Sequence, residues 1–598
     1  MIKTLYDIGL ILKEQYPEYF EPWSNPFPNQ EAKVIVANIH NGKLTGELEF
    51  EDYRSEFVNK YLYRKVQGAN GTNLVPTLFL QVVSDKVIQK GNLDKLIKKI
   101  KQSVKNYEHN FIDENGIENI KKKLEEMNLD RNIRYLFTMK IDGKYFGEYD
   151  EYKNLFYRDA YDKYSSKSSA TNKLCSVTYV NSDEVWGRID TLGFTIDDIT
   201  FSRNGFISTD SYKMFPASPD AVKILEGTKR IVLEKFSSRQ FYFSGLNYFA
   251  LPHFVNMKPE LMKEIIEIFL NKVKIELTER NKSLINNEVL LNEIINDEKL
   301  SKNNVYYDIF FYQINNAQFL IKLHLSDVLP SRLKNIFKIK NDIETNYNSI
   351  LKRVFDKGKA NENIDNFFIT FNLFKKYFSD IVNKKTIFQP TFFKLFEAVF
   401  YGNYLNEEVL LKAFLKRIIS DFKSRAENKY AFAQTVKESF ALHQFLYQLN
   451  LFKNIIYMET TDNKSVSLEL DGFINQHPNF FDSEYKKGVF MLGVLTSKLL
   501  AKQRSKLKNE PFLKNLNNLS IDNSEIKKIL PKLINKIREY DISHYTRELE
   551  GRIAKALTKY EDLNKTEISY LFTLGIIMGN EFDKEFFKKL KEEDNQLT

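Results

Sequence analysis

Hydrophobic positions switch between helical and strand spacing along this chain. Leu5, Ile8, Leu12 and Tyr16 share one face at helical spacing, so residues 1–20 read as an amphipathic helix. Pro17, Pro22, Pro26 and Pro28 end it in an extended loop. Val34–Ile39 and Leu44–Phe50 flank Asn41-Gly42, a dipeptide suited to a tight hairpin turn. Asn92–Asn128 is helical and highly charged, and Arg134–Ile141 reads as a strand before a turn at Asp142-Gly143. A Ser/Lys loop, Ser165–Ser169, leads to Leu174, and Tyr306–Leu325 alternates as a hairpin around Asn315–Gln318. Residues 257–300 and 333–450 are mostly helical by period, with apolar runs such as Phe367–Phe378 and Phe392–Phe400. After a polar break at Thr460–Lys464 come helix candidates at 486–507, 524–540, 545–560 and 567–579, joined by connections short enough for an antiparallel bundle. The expected class is α+β, with mixed N-terminal and central α/β parts followed by a C-terminal helical bundle.

Charge changes this picture in one place. The chain carries a formal +9, yet Lys486–Arg538 alone holds thirteen lysines and arginines against three acids, Glu510, Asp522 and Glu525. The basic character is local. Lys498, Lys502 and Lys506 recur at i, i+4, i+8, as do Lys528, Lys532 and Lys536, so each triplet forms a row on a helix. Leu492, Leu495 and Leu499 oppose the first row; Ile526, Ile529, Leu533 and Ile537 oppose the second. Two bundle helices with solvated outer faces would give the same pattern. The missing acids favour a polyanion partner, a nucleic-acid backbone, which relieves the repulsion within each row. Lysine rows position a backbone and read no bases.

A second candidate lies in Val58–Thr77. Arg64, Lys65 and Gln67 lead into Gly68, Asn70, Gly71, Thr72 and Asn73, with Pro76 closing the loop and Tyr61 and Tyr63 preceding it. Glycines allow close backbone approach, and Gln/Asn side chains can read base edges. A plain surface turn is the commoner origin of such a loop.

Composition bounds the rest. A chain of 598 residues with 43% apolar content holds about three or four domains with sizeable cores. Phe 49 and Tyr 33 stand against Trp 2. One cysteine, Cys175, fits a reducing cytoplasm and forms no internal disulfide. No secretory leader, membrane span or internal repeat is expected; the longest apolar runs, such as Tyr570–Gly579, fall far short of a span. The seven histidines are scattered, with no HxxxH or HExxH pair, P-loop or GxSxG motif. Asp197-Asp198 could be imagined as a metal pair for a nuclease, but no partner set accompanies it. No enzyme activity is expected.

Leu174–Val255 resembles the zinc-ribbon region of the large subunit of subtype I-B CRISPR surveillance complexes (Cascade). The matching positions are Gly187–Thr191, Phe215-Pro216, Phe241–Gly245 and Pro252. The four positions that hold cysteine in many members fall on Cys175, Thr178, Ser218 and Ala221. Structural zinc needs four thiolate or imidazole ligands, so the resemblance implies a ribbon that keeps its shape by packing, without metal. Cys175 then reads as a small buried residue. Ser326–Leu333 resembles the family's Asp-Val-x-Pro-Ser-Arg turn, Tyr61–Thr77 its early motif, and Gly488–Leu516 and Glu567–Gly579 its closing helical region.

The resemblance implies a non-catalytic, cytoplasmic large subunit of a guide-RNA complex, with no cofactor and no membrane partner. Such a subunit recognises a protospacer-adjacent motif (PAM) in duplex target DNA, supports R-loop opening and recruits the CRISPR helicase-nuclease in antiviral defence. It works beside the backbone and 5′-handle-binding subunits. Arg64, Lys65, Gln67, Asn70 and Asn73 are the expected motif-binding residues. Lys498, Lys502, Lys506, Lys528, Lys532 and Lys536 are the expected backbone contacts. The expected domains are an N-terminal α/β domain (1–170), a degenerate ribbon-like region (171–255), a mostly helical central domain with a β-hairpin (256–457) and a small-subunit-like C-terminal bundle (458–598). The family also implies separate translation of the C-terminal part as a small subunit; Met458 is the preferred internal start, since Met491 would begin inside the first basic helix. The alternative is a stand-alone single-stranded nucleic-acid-binding protein.

Overall fold

Two apolar runs, Ala32–His40 and Arg134–Ile141, lie side by side in parallel at the centre of a six-stranded sheet, with Val34 opposite Leu136 and Ile35 opposite Phe137. Their near-continuous hydrophobicity has a direct cause: both faces of the sheet are covered. Ile35, Ala37, Ile39, Phe137 and Met139 face a core with Leu96, Ile100, Ile117, Ile120 and Leu124 from the helices Lys90–Lys105 and Glu114–Glu126. Val34, Val36 and Leu136 face a smaller core with Phe27, Tyr61 and Tyr145. Lys43–Leu44 and Glu49–Asp52 fold back antiparallel on Ala32–His40 after the Asn41-Gly42 turn, where both residues have positive φ (46° and 76°). The charged helical stretch is two helices, the second capped by Asp113, whose carboxylate accepts from the Gly116 amide at 2.7 Å.

The computed structural model describes residues 2–27, 30–64, 74–80, 82–84, 87–88, 90–105, 110–166, 168–193, 207–233, 242–243, 246–255, 258–268, 305–315, 318–351, 367, 369, 371–382, 385–425, 429–453 and 465–582. Lys65, Gln67, Asn70, Asn73, Asp197, Asp198, the Thr460–Lys464 break and Met458 lie outside the described residues. The chain folds as two compact units. One takes in Met1–Phe241, Leu246–Leu277 and Asp308–His324; the other is chiefly Leu325–Thr598.

In the first unit the N-terminal helix, Ile2–Gln15, packs against the helix Pro219–Ile231. A helix rich in tyrosine, Asp150–Ser165, has no counterpart among the sequence expectations; Phe156, Tyr161 and Tyr164 are its buried side chains. The expected long hairpin is present as Val305–Asn315 and Gln318–Val328, neighbours in a four-stranded sheet.

The second unit is mainly helical. Pro330 opens the helix Pro330–Leu351, and Arg332 donates from Nε and Nη2 to the Val399 carbonyl (2.9 and 2.7 Å), capping the C-terminal end of the helix Pro390–Tyr401. The family-like turn at this point is thus a structural clamp. Helices Glu407–Lys423, Lys429–Gln448, Glu484–Leu507, Asn523–Glu539, Ser543–Leu557 and Lys565–Phe582 form the bundle. At its centre, residues 488–501 of Glu484–Leu507 are buried on every side, against Ile568–Gly579 of the last long helix. The architecture is therefore a mixed α/β N-terminal and central region followed by a C-terminal helical bundle. Among the described residues, no helix is long and apolar enough to cross a membrane.

Candidate nucleic-acid interface

The Gly/Asn-rich loop springs from a clamped base. Thr77 Oγ1 donates to the Tyr61 carbonyl at 2.6 Å and lies 3.0 Å from Thr138 Oγ1, while the Ser24 amide donates to the Tyr63 carbonyl at 2.7 Å. Arg64 forms an ion pair with Asp159 and lies 5.3 Å from the Phe156 ring centroid, with only 15% of its side chain exposed. Its guanidinium fixes the edge of the loop to the Asp150–Ser165 helix and offers little surface to a base pair. Lys99 donates to the Thr77 carbonyl at 2.7 Å; burial, with a smaller push from Arg64, brings its ammonium down to about 8. Neither Asp159 nor Lys99 carried a local sequence signal, because they reach Arg64 and Thr77 from distant elements.

The four family cysteine positions converge, and their chemistry differs from a zinc site. Ser169–Leu174 and Asn181–Trp186 pair antiparallel around a turn that begins at Cys175. The Cys175 amide donates to the Val180 carbonyl and the Tyr179 amide to the Cys175 carbonyl, each at 2.9 Å. A later segment is brought alongside by the Ser176 amide on the Pro216 carbonyl (2.7 Å) and by reciprocal bonds between Trp186 and Ala217 (2.8 and 3.0 Å). The Ser218 amide then donates to Cys175 Sγ at 3.2 Å, and Ser218 Oγ caps Pro219–Ile231 by accepting from the Ala221 amide at 3.3 Å. Burial raises the Cys175 thiol, but hydrogen bonds from Thr178 and Ser218 outweigh it and lower the pKa. One thiol, two hydroxyls and a methyl cannot complete a tetrahedral zinc site. They make a sulfur-centred hydrogen-bonded turn instead. A helix begins directly after Ser218, so among the described residues the four positions sit on one hairpin turn, the short segment beside it and the start of that helix.

The two lysine rows are unlike each other. Lys498 is buried, 7% exposed, in the middle of the central helix, Lys502 is half-buried and Lys506 is exposed, so the row Lys498–Lys502–Lys506 is no continuous open face. Other cations of that helix are ion-paired. Lys486 pairs with Glu567 (2.7 Å) and Asp482 (3.0 Å), and Arg504 with Glu510 (3.0 Å). For Lys486 the fold supplies Glu567 from distant sequence, while Asp482 and Glu510 are near neighbours along the chain.

The second row is open. On Asn523–Glu539, Ile526, Ile529, Leu533 and Ile537 are buried, while Lys527, Lys528, Lys532, Lys536 and Arg538 are exposed. Asp522 caps the helix from its first turn, accepting from the Ser524 and Glu525 amides at 2.9 and 3.0 Å. Tyrosines stand at both ends of the row. Lys527 Nζ lies 5.1 Å from the ring centroid of Tyr560, which is 54% exposed, and Lys506 Nζ lies 5.9 Å from the ring of Tyr540. Neither tyrosine entered the expected site: Tyr540 continues the i, i+4 series of Lys528, Lys532 and Lys536 and was legible from it, whereas Tyr560 lies in a separate connection outside that period. Basic side chains interleaved with aromatic rings can neutralise phosphates and stack on bases.

Family models place the chain. The model for the N-terminal domain of the CRISPR-associated protein TM1802 matches residues 1–158, that for its central domain residues 172–328, and that for its C-terminal domain residues 369–590. No curated protein matches the chain. The three domains lie in order along most of the sequence, and the family they define is coarser than the subtype I-B large subunit that the motifs resemble. The chain belongs to the TM1802 family of CRISPR-associated proteins.

Proposed function

We propose that this chain is the non-catalytic large subunit of a subtype I-B RNA-guided CRISPR complex, acting in the cytoplasm in antiviral defence. The observation that carries the reading is the open lysine face of Asn523–Glu539, set in a family-matched CRISPR-associated chain. In this role Lys528, Lys532 and Lys536, with Lys527 beside them, hold a nucleic-acid backbone while the R-loop opens. Guide pairing supplies sequence recognition, and the exchange of one duplex for another is nearly balanced, so modest backbone contacts can tip it. Lys65, Gln67, Asn70 and Asn73 read the flanking motif, with Arg64 fixing the loop. The partners are the guide RNA with its backbone and 5′-handle-binding subunits, duplex target DNA, the CRISPR helicase-nuclease and a small subunit translated from Met458.

The test is duplex-target binding by a guide-RNA complex assembled with and without this chain, using a correct and a scrambled flanking motif. Discrimination that requires the chain supports the reading. Lys528→Glu, Lys532→Glu and Lys536→Glu together should weaken binding with either motif and flatten its salt dependence by up to about three units of slope. Asn70→Ala with Asn73→Ala should instead narrow the difference between motifs. A chain that neither joins the complex nor alters binding refutes the proposal and leaves a stand-alone single-strand binder.

A further inference from the structure

We propose that the lysine face takes an unpaired nucleic-acid strand, with Tyr560 as the platform on which one base stacks. This rests on the proposed backbone-binding role of the same lysines and specifies the form of nucleic acid they take.

Tyr560 lies in the connection between Ser543–Leu557 and Lys565–Phe582. Although 54% exposed, its ring is held in place. The buried Tyr485 packs against it at 5.6 Å and a 69° interplanar angle. Its hydroxyl donates to Asp562 Oδ1 at 3.3 Å, and the same oxygen accepts from Asn523 Nδ2 at 3.3 Å. The Lys527 ammonium approaches the ring at 5.1 Å. A fixed exposed ring loses little freedom on binding, which is what a stacking platform requires. A lone exposed tyrosine would mean nothing. This one stands at the head of a row formed by Lys527, Lys528, Lys532 and Lys536, and Tyr540 with Lys506 stands at the other end.

Lysines alone hold duplex and single strand alike through phosphates. A ring adds discrimination, because paired bases are already stacked on one another and only an unpaired base can offer its face. The ammonium of Lys527 beside the Tyr560 ring lets one nucleotide meet cation and aromatic together.

The experiment compares binding of a labelled oligothymidylate and of a short duplex to the full chain by fluorescence anisotropy. Tyr560→Ala should weaken oligothymidylate binding about tenfold and leave duplex binding unchanged; Tyr560→Phe should retain the parent affinity for both. Thermal melting of each variant reports whether the bundle is intact. If Tyr560→Ala melts like the parent and binds oligothymidylate as well as the parent does, or loses both ligands equally, the inference is overturned while the lysine reading stands. If Lys528→Glu, Lys532→Glu and Lys536→Glu together change neither affinity, the lysine reading falls and the inference with it.

Discussion

His477 shows what a single enclosed side chain does to the pH response of the second unit. Its Nδ1–H donates to the Phe473 carbonyl at 2.7 Å, so Nε2 carries the lone pair and accepts from the Tyr347 hydroxyl at 2.5 Å. Burial holds the imidazole neutral, with its pKa down at about 4. In the unfolded chain the ring titrates near 6.5. Between those values the unfolded state binds a proton that the folded state refuses. Stability from this residue is therefore complete above about pH 6.5 and falls away as pH drops towards 4, by about 3 kcal/mol. His477→Phe should flatten that loss. Urea midpoints at pH 7.5 and 4.5 check it: the parent should fall further than the variant, and equal falls would show that His477 does not titrate as argued. Nothing in the sequence singled out this histidine, because Tyr347, 130 residues away, reaches it only in the fold. The expected burial of Cys175 is met, and the hydrogen bond that Ser218 gives its sulfur forms only when the segment at Ser218 folds alongside. Lys498 was misread because a local row says nothing about what packs over it.

At the scale of elements, sequence period found the helices of the C-terminal bundle, missed Asp150–Ser165 and Pro219–Ile231, and left one lysine face open to misreading. Asn523–Glu539 is amphipathic, so its buried isoleucines and open lysines could be read directly. Residues 488–501 of Glu484–Leu507 are enclosed on all sides, and a helix segment buried all round has no stripe to read. The parallel pairing of Ala32–His40 with Arg134–Ile141 was hidden too, because the partner strand lies far along the chain and local alternation points to the adjacent hairpin. Where the enclosed helix crosses Lys565–Phe582, glycine sets the distance. A Cβ on Gly493 would lie 2.1 Å from the Phe572 carbonyl oxygen and 2.9 Å from Gly575 Cα; one on Gly575 would lie 2.1 Å from the Phe490 carbonyl oxygen. Gly493→Ala or Gly575→Ala must push backbone from backbone and should cost about 3 kcal/mol. Gly551 sits inside the exposed face of Ser543–Leu557 with nothing within 4 Å of a Cβ, so Gly551→Ala should stabilise by up to about 1 kcal/mol through helix propensity. Urea unfolding of the three variants tests the contrast; a Gly493→Ala protein as stable as the parent would mean that the helices separate without cost.

At the scale of the whole molecule, the position of the proposed internal start has a physical consequence. Helices on both sides of Met458 share one core. Tyr570, fully enclosed, meets Ser439 Oγ at 3.0 Å and the Phe414 ring at 6.2 Å; Phe440 packs on Phe473 at 5.4 Å and on Phe480 at 5.2 Å; Lys437 pairs with Glu581. A product beginning at Met458 keeps Phe473, Phe480 and Tyr570 but leaves behind Phe414, Ser439 and Phe440. It therefore bares aromatic surface that the longer segment covers, and each large side chain so exposed forfeits about 1.5–3 kcal/mol. Residues 369–598, the span beginning with the C-terminal family match, retain those contacts. The expectation is that 458–598 alone unfolds at lower temperature and binds a hydrophobic dye, whereas 369–598 melts higher and excludes it. Dye binding by the shorter product should disappear when it joins the guide-RNA complex, since a small subunit made this way must find in its partners the apolar cover its parent supplies in the same chain. If 458–598 alone melts as high as 369–598, the shared core contributes little, and a small subunit from Met458 needs no partner to fold.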